Sequence, residues 1–141
     1  LDRDHFNLPQ SETVGRAIDF VNDTTNGAAS GRAMRVYDYG VAAADAYELR
    51  VDKELLALAA IFNEVGDFAA SKAESFLLEN NMWKSLAAKV AAAIQHQEDG
   101  LTSNDVETRV LALGLQAEAA HGEVEYVHPA TAAETRARHQ G

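Results

Sequence analysis

The sequence predicts an all-α fold, a compact single-domain bundle with one helix buried at its centre. Three observations carry that prediction. Alanine fills about one position in five, and proline occurs only at Pro9 and Pro129; alanine loses least in a helix and proline interrupts it most. No stretch alternates apolar and polar residues over a useful length, and the one strand-like run, Val124-Glu125-Tyr126-Val127-His128, has no pairing partner. Leu55, Leu56, Leu58, Ala59, Ala60, Ile61 and Phe62 lie all round a helix, and a helix apolar on every side is a buried one.

Apolar spacing and cap residues place the elements in order. The first helix runs from about Ser11 to Asp23, with Val14, Ala17, Ile18 and Val21 on one face, and Asn26-Gly27 ends it. The second starts after Ser30-Gly31 and runs to about Arg50, with Met34, Tyr37, Val41 and Ala44 as its stripe. The central third helix, about Lys53 to Val65, takes Asp52 as N-cap and Gly66 as its left-handed close. The fourth runs from about Ala69 to Glu79 and stops at Asn80-Asn81. The fifth, about Met82 to Gln97, shows Trp83, Leu86, Ala87, Val90 and Ile94, and Asp99-Gly100 makes a turn. The sixth starts at a Thr102/Ser103 cap and reaches about His121, carrying Val106, Val110, Leu113 and Ala117. Thr131-Ala132-Ala133-Glu134 is a capping box for a last, polar helix at about 131–139. That helix has little apolar surface, so it is expected to be mobile or to pack on a partner, which leaves room for a homodimer.

Composition removes several function classes. Twelve basic residues against twenty-two acidic ones give a net charge of −10. A field of that sign repels phosphate backbones and anionic lipid, so neither a nucleic acid nor a membrane is expected as partner. The absence of cysteine excludes disulfides, thiolate metal sites and cysteine nucleophiles. No apolar run approaches the ~20 residues that span a bilayer, and Leu1-Asp2-Arg3-Asp4-His5 is polar rather than a signal segment. The expectation is a soluble, cytoplasmic protein of one domain, residues 1–141.

Leu8-Pro9, Arg35-Val36-Tyr37-Asp38-Tyr39-Gly40 and the run from Asp52 to Gly66 follow one another in an order and spacing that resembles the HD-domain superfamily, in particular its cyanamide-hydratase-like branch. The resemblance covers about residues 8–121. It implies an all-α domain with its site inside the bundle. It also implies a divalent metal held by a histidine early in the second helix, a His-Asp pair ending the central helix and a later aspartate, making hydroxide from water. Here Arg32 stands about where the first histidine would be, Asn63-Glu64 replaces the His-Asp pair, and Glu118 lies about where the aspartate would be. His96-Gln97 falls where a further site histidine is often found. Arginine is a permanent cation and ligates nothing. The resemblance therefore implies a degenerate site with no metal and no cofactor, in which Arg32 takes the ion's place and bridges Glu64 and Glu118.

The candidate reacting residues are Glu64, Glu118, Arg32 and His96; Tyr37, Asn63, Gln97 and Arg35 are candidate ligand-binding residues. Tyr39, Tyr47 and Trp83 join Tyr37 as candidate walls of an aromatic pocket. Each has a plainer reading. Asp19, Asp23, Asp45 and Glu48 read as a solvated face. Gly114, one turn before Glu118, admits either a ligand or a close helix. His5, His121, His128 and His139 show no i, i+4 pairing, although His121 with Glu118 makes a weak divalent site on paper. The Gly27-to-Gly31 stretch lacks the strand and lysine of a phosphate loop, and neither Ser30 nor Ser71 sits in a nucleophile motif. Three functions stay open: a metal-free domain binding a small organic molecule, with acid/base chemistry by Glu64 and Glu118; a non-catalytic interaction module; and a metal-dependent hydrolase or hydratase with substituted ligands.

Overall fold

A computed structural model describes residues 11–25, 27 and 31–140. All regular structure among them is helical: α1 (Glu12–Thr25), α2 (Arg32–Ala46), α3 (Lys53–Asn63), α4 (Ala69–Glu79), α5 (Lys84–Gln95), a 3-10 helix (Gln97–Thr102), α6 (Val106–Ala119) and α7 (Pro129–Arg138). None of these is long and apolar enough to cross a membrane. Leu8-Pro9, His5, Asn26 and Ser30 lie outside the described residues.

α3 is the centre. Residues 55–62 are all buried, and α1, α2, α4, α5 and α6 each pack against it. Its start follows from Asp52, whose carboxylate accepts from the Leu55 amide at 3.1 Å; its exit follows from Gly66 at φ +87°. α2 lies along α6. At Gly114 an added Cβ would stand 2.4 Å from the Val36 carbonyl oxygen, so the two backbones touch, and close packing is the use of that glycine.

Several ends differ from expectation. α2 stops at Ala46, not near Arg50, because Glu48 takes a left-handed φ of +54° and the Leu49 amide donates back to Ala44 O at 2.8 Å. Such a 6→1 bond closes a helix. α5 starts at Lys84, which puts Trp83 at the cap, 79% exposed, instead of on the buried face. α6 starts later than Thr102/Ser103, because residues 97–102 form the 3-10 helix and Asp105 is the cap that accepts from the Thr108 amide at 3.1 Å. α7 starts at Pro129, whose preset φ suits the first helical turn, with His128 Nδ1 accepting from the Ala130 amide at 3.0 Å. The Thr131–Glu134 box therefore falls inside the helix. α7 packs on α2 of its own chain and buries Ala132, Thr135 and the following His139.

Candidate functional site

Three residues spaced three apart on α2 build the polar centre: Arg32, Arg35 and Asp38. That spacing keeps them on one side of the helix. Each meets the C-terminal end of a different element. Arg32 forms an ion pair with Glu64, which ends α3. Arg35 forms an ion pair with Glu118, near the end of α6. Asp38 Oδ2 meets Nε2 of His139, which caps α7, at 2.9 Å, and both side chains are buried.

The middle rung is the strongest. Arg35 donates through Nε to Glu118 Oε1 and Oε2 at 3.0 and 3.1 Å, and through Nη2 to Oε2 at 2.8 Å. The same guanidinium donates through Nη1 to the His139 carbonyl. Only 16% of the Arg35 side chain and 14% of Glu118's are exposed. A planar fork on a carboxylate is the arrangement arginine makes best, and the bond to Glu118, set against burial, raises the Arg35 pKa above its ordinary value. The chain beyond α7 closes over this rung: a Cβ on Gly31, φ +85°, would meet the Gln140 and His139 carbonyl oxygens at 2.7 and 2.9 Å. Only glycine accepts both that backbone shape and that approach.

The Arg32–Glu64 rung is lopsided. Arg32 is 43% exposed while Glu64 is 7% exposed. Burial pushes the Glu64 carboxyl above its usual range, against the pull of Arg32; Glu118 adds a smaller push the same way. The expectation that Arg32 bridges both carboxylates is thus corrected. Arg32 takes Glu64 alone, because Arg35 stands one turn further along α2, level with Glu118, and occupies that carboxylate with three contacts.

The other candidates are dispersed. Asn63 is half-buried at the end of α3 and Gln97 half-buried at the start of the 3-10 helix. His96 is exposed at the cap of α5. Tyr37 is 1% exposed, its hydroxyl has no hydrogen-bond partner, and burial followed by the Asp38 charge pushes its pKa up to about 12. Tyr39 is buried too, whereas Tyr47 and Trp83 are exposed, so the four aromatics do not share a pocket. Four cavities of about 380 to 770 Å³ lie elsewhere, none lined by Arg32, Arg35, Glu64 or Glu118. His121 is exposed and Glu118 belongs to Arg35, which dissolves that paper metal pair. Asp19, Asp23, Asp45 and Glu48 are exposed, as the solvated-face reading has it. Sequence reasoning missed the Asp38–His139 rung. Its signals were Asp38 at i+3 from Arg35 and a histidine directly after a helix.

The donors do not fit the divalent ion of an HD domain. Glu64 and Glu118 are each in contact with a guanidinium, and no three histidine, aspartate or glutamate side chains gather as a ligand group among the described residues. Comparison with known proteins finds no matching family model, no matching curated protein and no matching solved structure.

Proposed function

We propose that the chain is a metal-free, HD-like helical module that acts by binding, and that Arg32, Arg35, Glu64 and Glu118 are its framework rather than its reacting groups. One observation carries this reading: Glu64 and Glu118 are each closed by an arginine of their own. A carboxylate so held is poor at attacking, because the guanidinium occupies lone pairs that the attack would use.

A second reading has one observation behind it. Glu64 holds its proton more tightly than an ordinary glutamate, and Arg32 over it is partly exposed. A small organic molecule displacing Arg32 would meet an acid able to give and take a proton, with Asn63 alongside.

The two readings separate in one assay. Hydration of cyanamide and other small nitriles is followed with the intact chain and its Glu64→Gln variant, with divalent ions and after chelation. The binding reading expects no turnover above buffer in any arm. Turnover by the parent that Glu64→Gln abolishes would overturn it in favour of acid/base chemistry, and turnover that chelation abolishes would restore a metal-dependent hydratase.

A further inference from the structure

A cavity of about 450 Å³ opens where the 3-10 helix, the α2–α3 connection and α6 meet, and Tyr47, Leu49, Leu101, Arg109 and Leu113 line it. Its size falls in the range of small-molecule sites, roughly 300–1,000 Å³. Four of the five lining side chains are apolar or aromatic. The fifth is a cation, in a chain whose net charge is −10.

Arg109 differs from the other half-buried arginines. Arg32, Arg35 and Arg138 each rest on a glutamate. Among the described residues Arg109 has no carboxylate within ion-pair distance, and its buried Nε has no hydrogen-bond partner. The acids nearest in sequence are engaged elsewhere: Asp105 caps α6 through the Thr108 amide at 3.1 Å, and Glu107 accepts from the Asp52 amide at 3.2 Å. An orphaned donor in a partly dry setting is unfavourable by more than a made bond is worth. The walls are also held in place. The Tyr47 ring stands 5.8 Å from that of Tyr126, whose hydroxyl lies 2.7 Å from the Leu113 carbonyl oxygen and donates to it. Gly100 lets the 3-10 helix close onto α6, since a Cβ there would meet Ala112 Cβ at 2.7 Å.

From this the geometry points to a second site, separate from the polar centre: the Arg109 cavity binds a small amphipathic monocarboxylate. The carboxylate takes the Arg109 guanidinium and the apolar body lies on Leu49, Leu101, Leu113 and the Tyr47 ring. A neutral ligand leaves the cation unanswered, and a cationic one is repelled. The inference does not depend on how the polar centre functions.

Isothermal titration of the intact chain with octanoate tests it, with octanamide as the uncharged probe and octylamine as the cationic one. Arg109→Met keeps the apolar stem and removes the charge; its melting curve shows whether it is folded. Leu113→Asn alters the wall instead. The expected result is saturable octanoate binding, weakened about tenfold or more by either variant and by either replacement probe. Absence of saturable octanoate binding, equal binding by a folded Arg109→Met variant, or equal binding of octanamide would overturn the proposal. Cyanamide turnover bears only on the polar centre and leaves this result unaffected.

Discussion

Replacing Arg35 with methionine tests the middle rung most directly. The stem is kept and the guanidinium lost. Glu118 then forfeits three N–H contacts, and the His139 carbonyl forfeits its donor. Breaking a fully buried ion pair by removing one partner costs about 3–5 kcal/mol. Both side chains here keep some exposure, 16% and 14%, so solvent takes up part of that and about 2–3 kcal/mol remains. The unfolding entropy of a chain of 141 residues is about 0.3 kcal/mol per kelvin, so the melting temperature should fall by about 7–10 °C. The assay is thermal unfolding at neutral pH of the parent, Arg35→Met, Glu118→Leu and the double variant. Most of the loss is the stranding of a charge, so the double variant should recover much of it. Strict additivity of the two single losses would refute the reasoning, as would an Arg35→Met shift below about 2 °C.

Glu64 gives a pH prediction. Its folded pKa lies above the ordinary value near 4.5, chiefly through burial, so the native state holds more protons than the unfolded chain in the window just above that value. Stability must then fall as pH rises through the window. Glu64→Gln should flatten that fall in urea midpoints taken from acid to neutral pH, and Arg32→Met should deepen it by raising the carboxyl further; a steeper fall in Glu64→Gln would contradict the assignment. Gly114→Ala gains about 1 kcal/mol of helix propensity, but its methyl meets the Val36 carbonyl at an overpacking penalty of about 1–3 kcal/mol. A net loss is expected by urea unfolding, and a gain would mean the helices are free to part. Trp83→Ser should move stability by no more than about 0.5 kcal/mol, since the ring is exposed; a loss of several times that would show that the indole is covered.

The helices were legible because their cores repeat at helical spacing, and the all-round apolar run of α3 told its central position outright. Caps with a side-chain mechanism, such as Asp52, or a conformational one, such as Gly66, marked true ends. Ends set by an ordinary residue in a left-handed shape did not: nothing in a glutamate announces that Glu48 turns the chain. Trp83 misled for a related reason, because its spacing suits the buried face while the helix begins one residue after it. At the polar centre the sequence pointed to Arg32, Glu64 and Glu118 and paired Arg32 with Glu64 rightly, but gave Glu118 the wrong arginine. Arg35 and Glu118 lie 83 residues apart, and Asp38 and His139 lie 101 apart. A charge on a helix reads the same whether it faces water or a distant partner, and only packing decides between them.

The bare meeting of α2 and α6 at Gly114 also settles which charges mesh. Val36 O sits where a methyl would be; Arg35 directly precedes Val36, and Glu118 follows Gly114 by one turn. The glycine works as a detent. The two helices click together at one setting along their length, and at that setting alone the arginine comes level with its glutamate. A slip of one turn, about 5.4 Å, would jam a side chain against a carbonyl and in one direction carry Glu118 toward Asp38, acid against acid.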